Sequence, residues 1–175
     1  ITKCLFYYED DAMMLMEALM DISTLTTALS DVNDVILTVY IDLLKQSEND
    51  VSVFFSKLSS YINTFFTSDN IEKSKYVNFI IEVISMCPSL FTSANEEQNI
   101  NILFFLNNLY ALIAVKNEEY STNKHFLLIK KTVNDISVDI IIRMMQLFDF
   151  IANNSIHFFF LDFIHFATRS NTEQN

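Results

Sequence analysis

The 175-residue sequence predicts an all-α fold in which seven to eight helices stack as antiparallel pairs. Apolar residues recur at three- and four-residue steps along most of the chain, which is the spacing of one helix face. The chain contains no glycine, so tight hairpin turns lose the residue that favours them most. Short polar segments, such as QSEND and KNEEYSTN, separate the periodic stretches. A closed helical bundle is the alternative arrangement of the same helices.

The N-terminal half of the chain predicts four helices. The first covers residues 12–29, and the second starts near residue 31, each after an acidic or serine cap. Asp50 opens the third helix, in which apolar residues again recur at helical steps. Ser68 caps the fourth helix, and Pro88 is expected to end it because proline removes a helix hydrogen bond.

The C-terminal half predicts four more helices. Ser93 and Glu96 match the S-x-x-E capping box, and the fifth helix continues to about residue 116. The sixth is the short basic segment KHFLLIKKTVND, and Ser137 is expected to cap a separate seventh helix. The eighth, SIHFFFLDFIHFATRS, opens at Asn154 or Ser155. Residues 1–170 are therefore expected to form a single helical domain or segment, and 171–175 a tail or linker.

The predicted helix starts are evenly spaced when every second one is taken. Starts near residues 10, 51, 94 and 137 lie 41, 43 and 43 residues apart. Two helices per 40–47 residues is the period of HEAT and armadillo arrays, which the chain resembles in spacing alone. The resemblance implies an α-solenoid, or superhelix, and a segment of a longer helical-repeat protein.

The last predicted helix is apolar on nearly every side. Its aromatic residues Phe158, Phe159, Phe160, Phe163 and Phe166 are the candidate partner-binding residues. A helix that is apolar all round is normally buried, and inner repeats of a solenoid are covered by their neighbours. We therefore expect a further repeat or a partner protein to cover this helix.

Charge and cysteine content restrict the partners and the compartment. The net charge of −11, from 22 acidic and 11 basic residues, disfavours nucleic acid and favours basic protein segments. No uninterrupted apolar run reaches the roughly 18 residues of a membrane-spanning helix, so none is expected. Cys4 and Cys87 are expected to be buried free thiols, which favours the cytoplasm or the nucleus.

No sequence motif points to catalysis, to a cofactor or to a metal. Glycine-rich phosphate loops are excluded by the lack of glycine. His157, Asp162 and His165 share one helix, and neither a C-x-x-C nor an H-E-x-x-H motif accompanies them. They are expected to be polar positions on an aromatic helix. The sequence therefore predicts a protein that is not an enzyme and that holds no cofactor.

These observations favour a protein–protein interaction scaffold or adaptor segment built from helical repeats. One alternative is a compact bundle resembling the Bcl-2-like proteins of large DNA viruses, which bind host helices. The N-W-G-R motif of that family is absent, since the chain has neither Gly nor Trp. A second alternative is a superhelical peptide-binding domain similar to those that bind polymerase tails or sorting signals.

Overall fold

The computed structural model describes residues 51–66, 71, 74–147 and 155–172, together with residues 38, 41, 42, 44 and 45. Five helices follow one another in this part of the chain, which contains no strand, and the all-α prediction is confirmed. They are α1 (Ser52–Phe65), α2 (Ser74–Leu90), α3 (Glu96–Lys116), α4 (Lys124–Gln146) and α5 (Ile156–Thr172). The first predicted helix and Cys4 lie outside the described residues. Residues 38, 41, 42, 44 and 45, which belong to the second predicted helix, are helical.

The sixth and seventh predicted helices form one continuous helix, α4. Ser137 is buried inside it and donates a hydrogen bond from Oγ to the backbone oxygen of Asn134, 2.7 Å away, so the predicted cap at Ser137 is wrong. Val133 and Ile140 keep the same face apolar on both sides of Ser137. The even spacing of helix starts therefore ends after α3. Helices α1 and α3 begin 44 residues apart (52 to 96), whereas α3 and α5 begin 60 apart (96 to 156).

Two other predicted helix ends are also corrected. Pro88 lies within α2, which continues to Leu90. A proline in the last turn removes one backbone hydrogen bond, and few further helix hydrogen bonds follow it before the helix ends. The N-cap of α3 is Asn95 rather than Ser93, and its side-chain oxygen accepts from the Gln98 amide at 3.0 Å. Helix α5 begins at Ile156, next to its predicted start at Asn154 or Ser155, and ends at Thr172.

Most of the packing joins alternate helices. Helix α1 packs on α3, and Val51 contacts Gln98 at the start of α3, so the two helices begin side by side. Helix α3 packs in turn on α5, where the Asn107 amide donates to the Phe159 carbonyl at 3.1 Å and Tyr110 contacts Phe163. Residue numbers increase together along both pairs, so α1, α3 and α5 run parallel.

Helices α2 and α4 form the other parallel pair. The His125 ring lies 2.8 Å from the carbonyl of Ile71, just before α2, and Arg143 donates to the carbonyl of Phe91, just after it. Helix α4 runs antiparallel to α3, because the Tyr110 hydroxyl donates to Val133 while the Lys130 ammonium donates back to Asn117. The five described helices thus alternate in direction along the chain.

Helix α3 is the central helix of the described part. It lies between α1 and α5, and its ring at Phe105 packs 5.5 Å from that of Phe55. By length and composition alone α3 could cross a membrane, since an 18-residue window has a mean hydropathy of 1.3. Fully 56% of that window is buried inside the protein, as in a core helix. Its apolar character is therefore accounted for by packing against the neighbouring helices.

Candidate partner-binding surface

The five aromatic candidates on α5 fall into three environments. Phe160 and Phe163 are 6% and 0% exposed and belong to the core. Phe159 and Phe166 are half-buried against that core. Phe158 is 64% exposed. Of the residues selected from the sequence, Phe158 therefore offers the most surface to a partner, while Phe160 and Phe163 hold α5 to the protein.

A second apolar surface lies on α4. Val138, Ile142 and Met145 are all more than half exposed, and their spacing of four and three residues places them along one helix face. Leu127, nearer the start of α4, is 43% exposed. On α5 Leu161 is 59% exposed, one turn beyond Phe158. We call these six residues (Leu127, Val138, Ile142, Met145, Phe158 and Leu161) the outer apolar surface.

The α4 part of the outer apolar surface points away from α2. His125 and Arg143 contact the ends of α2, and they point in the same direction because 18 residues make five full turns. At about 100° per residue, Val138 and Met145 point roughly 200–220° away from that direction. They therefore occupy the side of α4 opposite its parallel neighbour α2.

Several charged groups near the outer apolar surface already make contacts within the protein. Lys131 and Asp135 form an exposed ion pair at i,i+4 on α4. Arg143 directs Nε and Nη2 to the carbonyl of Phe91, at 3.3 and 3.0 Å, so its charge serves the α2–α3 connection. An exposed ion pair contributes only about 0–1 kcal/mol, and the apolar side chains dominate what this surface can bind.

The residues weighed as metal ligands do not converge. His157 is half-buried, with its ring 3.8 Å from that of Phe158, whereas Asp162 and His165 are exposed. In the part of the chain that the structure describes, no three His, Cys, Asp or Glu residues form a group that could hold a metal ion. The predicted absence of a metal stays a prediction.

Two titratable groups in the core, Cys87 and Tyr110, are held in their neutral forms. Cys87 is fully buried as a free thiol, burial raises the pKa of that thiol, and its Sγ donates to the Val83 carbonyl at 3.3 Å. Burial also raises the pKa of Tyr110 to about 12, and its hydroxyl donates to the Val133 carbonyl. Both groups are occupied by structural contacts and neither is activated as a nucleophile.

Buried amide side chains form connections that sequence reasoning missed. Gln98 accepts from the Val51 amide at 3.0 Å and donates to the Leu90 carbonyl at 2.7 Å, which joins the start of α1 to the end of α2. Asn99 makes two hydrogen bonds to the backbone of Thr92 in the α2–α3 connection. The sequence did not indicate that these two side chains are buried, because Gln and Asn are also common at exposed helix positions.

The outer apolar surface was also missed on α4, although its signal is present in the sequence. When 124–146 is read as one helix, Val133, Ile140 and Met144 mark the buried face, and Val138 and Met145 fall outside it. The surface offers apolar area for contact with another protein. The chain matches no family model, no curated protein and no solved structure.

Proposed function

We propose that this chain is a non-enzymatic segment of stacked helix pairs that binds other proteins as a scaffold or adaptor. The observation that carries the proposal is the outer apolar surface on α4 and α5. Five of its six side chains are more than half exposed. On α4, Val138, Ile142 and Met145 lie along one helix face, and exposed apolar patches on a folded protein mark sites of protein contact.

The order of the helices supports a stack. Helices α1, α3 and α5 pack as parallel neighbours, and α2 and α4 pack as a second parallel pair. In a helical-repeat array the first helices of successive units form one layer and the second helices form the other. The packing of alternate helices follows from such layers, and the outer apolar surface then lies at the edge where a further unit would be added.

The exposure of one side of α3 favours the stack over a closed bundle of the Bcl-2-like type. Phe104 and Val115 on this side are 44% and 76% exposed. A bundle that wrapped its central helix would cover these positions, because such a helix is apolar in order to be surrounded. Layers leave one face of each helix open instead. The superhelical peptide-binding domain shares this layered arrangement and remains the second candidate.

Charge and compartment complete the proposal. With a net charge of −11, basic protein segments are the favoured partners and nucleic acid is disfavoured. The buried thiol of Cys87 suits the reducing cytoplasm or nucleus. The proposed partner covers the outer apolar surface with an apolar helix, either from a further repeat of the same polypeptide or from a second protein.

Site-specific photo-crosslinking tests the proposal directly. A photoreactive phenylalanine analogue would replace Ile142 in the protein as it is made in cells, and mass spectrometry would identify the crosslinked peptides. Ser85, exposed on α2, is the matched control position. The proposal predicts crosslinks from position 142 to an apolar helical segment, with none of that species from position 85. Background labelling at position 142, or equal labelling at both positions, would overturn it.

A further inference from the structure

A surface pocket lies where three helices meet. It is formed by the last turns of α3, the first half of α4 and the last turns of α5. Tyr110 and Ile113 line it from α3, Lys130 from α4, and Phe166 and Arg169 from α5. We call it the Lys130 pocket. Phe166 is one of the aromatic residues that the sequence indicated for partner binding.

The Lys130 pocket combines positive charge with an apolar wall. Among the described residues that line it, Lys130 and Arg169 are cations and none is a carboxylate. The Phe166 ring stacks on that of Tyr110, with centroids 6.3 Å apart and planes 6° apart. The Tyr110 hydroxyl donates to the Val133 carbonyl, so the ring rather than the hydroxyl serves the pocket. A ligand with an anionic group and an apolar body fits this lining.

Lys130 differs from the neighbouring lysines in its contacts. Lys116 pairs with Glu119 and Lys131 with Asp135, so each of those ammonium groups already meets a carboxylate. The Lys130 ammonium donates to the neutral side-chain oxygen of Asn117, 2.9 Å away. Its charge is therefore not neutralised by that contact, and a carboxylate placed in the pocket would gain a charge-assisted hydrogen bond.

The volume of the pocket limits the ligand to a small group. It encloses about 100 Å³. Sites that enclose a whole small-molecule ligand measure roughly 300–1,000 Å³. A single residue at the end of a polypeptide has both the carboxylate and the apolar side chain that the lining would accept.

We propose that the Lys130 pocket binds the C-terminal residue of a partner polypeptide. The carboxylate lies between Lys130 and Arg169, and an apolar side chain packs on Phe166 and Ile113. This inference deepens the proposed partner-binding function and rests on it. It also assigns the two cations a role beyond offsetting the negative ends of α3 and α5, where cations are favourable in any helix.

The test uses small probes and amide NMR of the ¹⁵N-labelled chain. N-acetylphenylalanine carries the terminal carboxylate, and N-acetylphenylalanine amide is the neutral counterpart. We expect the acid to shift the amide signals of Ala114, Lys130 and Phe166 and to bind at least about tenfold more tightly than the amide, a difference of about 1.4 kcal/mol. A capped glutamate, whose one carboxylate is in its side chain, should bind more weakly than N-acetylphenylalanine.

Two lysine variants serve as the matched pair. Lys130→Gln should weaken binding of N-acetylphenylalanine about tenfold, whereas Lys131→Gln, one residue away and outside the pocket, should leave it unchanged. Equal binding of acid and amide, or unchanged binding by Lys130→Gln, would overturn the proposal and leave Lys130 as a helix-end cation. Equal binding of the capped glutamate would overturn the terminal assignment. Crosslinking at position 142 reports on the scaffold proposal independently.

Discussion

Helices α3 and α5 differ in how much of their surface the protein covers. Helix α3 has buried residues over more than half of its circumference, because α1 and α5 lie on either side of it. Helix α5 has buried positions along one face, at Ile156, Phe160, Phe163 and Ala167. Its opposite face carries Phe158 and Leu161 into solvent.

This comparison shows that apolar composition does not by itself place a helix. The sequence of α5 indicated a helix covered on all sides, yet that description fits α3 better. The uncovered apolar residues of α5 are therefore surplus to the packing of the described helices. If each helix has a covered side and an open side, a substitution on the covered side should lower the free energy of unfolding by several kcal/mol more than a substitution on the open side.

Truncation of the central ring of α3 is expected to have the largest effect. Phe105 is 0% exposed and packs against Phe55, so Phe105→Ala should lower the free energy of unfolding by about 3–5 kcal/mol. Phe104→Ala removes a ring of the same type from the open side of α3 and should lower the free energy of unfolding by less than about 1 kcal/mol. Urea unfolding followed by circular dichroism measures both. Equal losses would show that α3 has no open side.

The same pair of substitutions on α5 should give a slightly smaller contrast. Phe163→Ala should cost about 3 kcal/mol, at the lower end for a buried ring, because the packing of α5 is mainly against the single helix α3. Phe158→Ala, at 64% exposure, should change stability by no more than about 0.5 kcal/mol. Thermal and urea unfolding provide the values. A large loss for Phe158→Ala would place that ring in the core and remove it from the outer apolar surface.

The cap of α3 should give the smallest effect. Asn95→Ala removes the side-chain oxygen that accepts from the Gln98 amide and should cost about 1 kcal/mol. Ser93→Ala is the control, because Ser93 fits the capping-box motif but is exposed outside the helix, and it should be nearly neutral. Chemical denaturation of the two variants decides between the caps. A loss for Ser93→Ala equal to that of Asn95→Ala would restore the sequence-based cap.

Local patterns predicted the helices well where apolar spacing was continuous. The fifth predicted helix ends near residue 116, as α3 does. The break predicted at Ser137 failed because a serine suits both a cap and a helix interior, where its hydroxyl bonds back to the preceding turn. Tertiary packing of Val133 and Ile140 on the same face decided between the two.

The candidate surface was only partly accessible from the sequence. Phe158 was found because it stands in an aromatic run, but its exposure depends on which face of α5 meets α3. The residues Lys130 and Arg169 lie 39 positions apart and meet only through the packing of three helices. The contact of Gln98 with Val51 joins residues 47 positions apart. Contacts between residues so far apart in sequence cannot be read from a local sequence pattern.

A distance between α1 and α5 tests the proposed stack most directly. Spin labels would be attached at Ser60→Cys and His165→Cys, both exposed, in a chain whose Cys4 and Cys87 are replaced by alanine. With α3 between them, the axes of α1 and α5 should be separated by two interaxial spacings of about 8–10 Å each. Electron paramagnetic resonance of the two spin labels should therefore give about 20 Å between the helices. A distance near one spacing, about 10 Å, would mean that α1 touches α5 and that the helices close into a bundle.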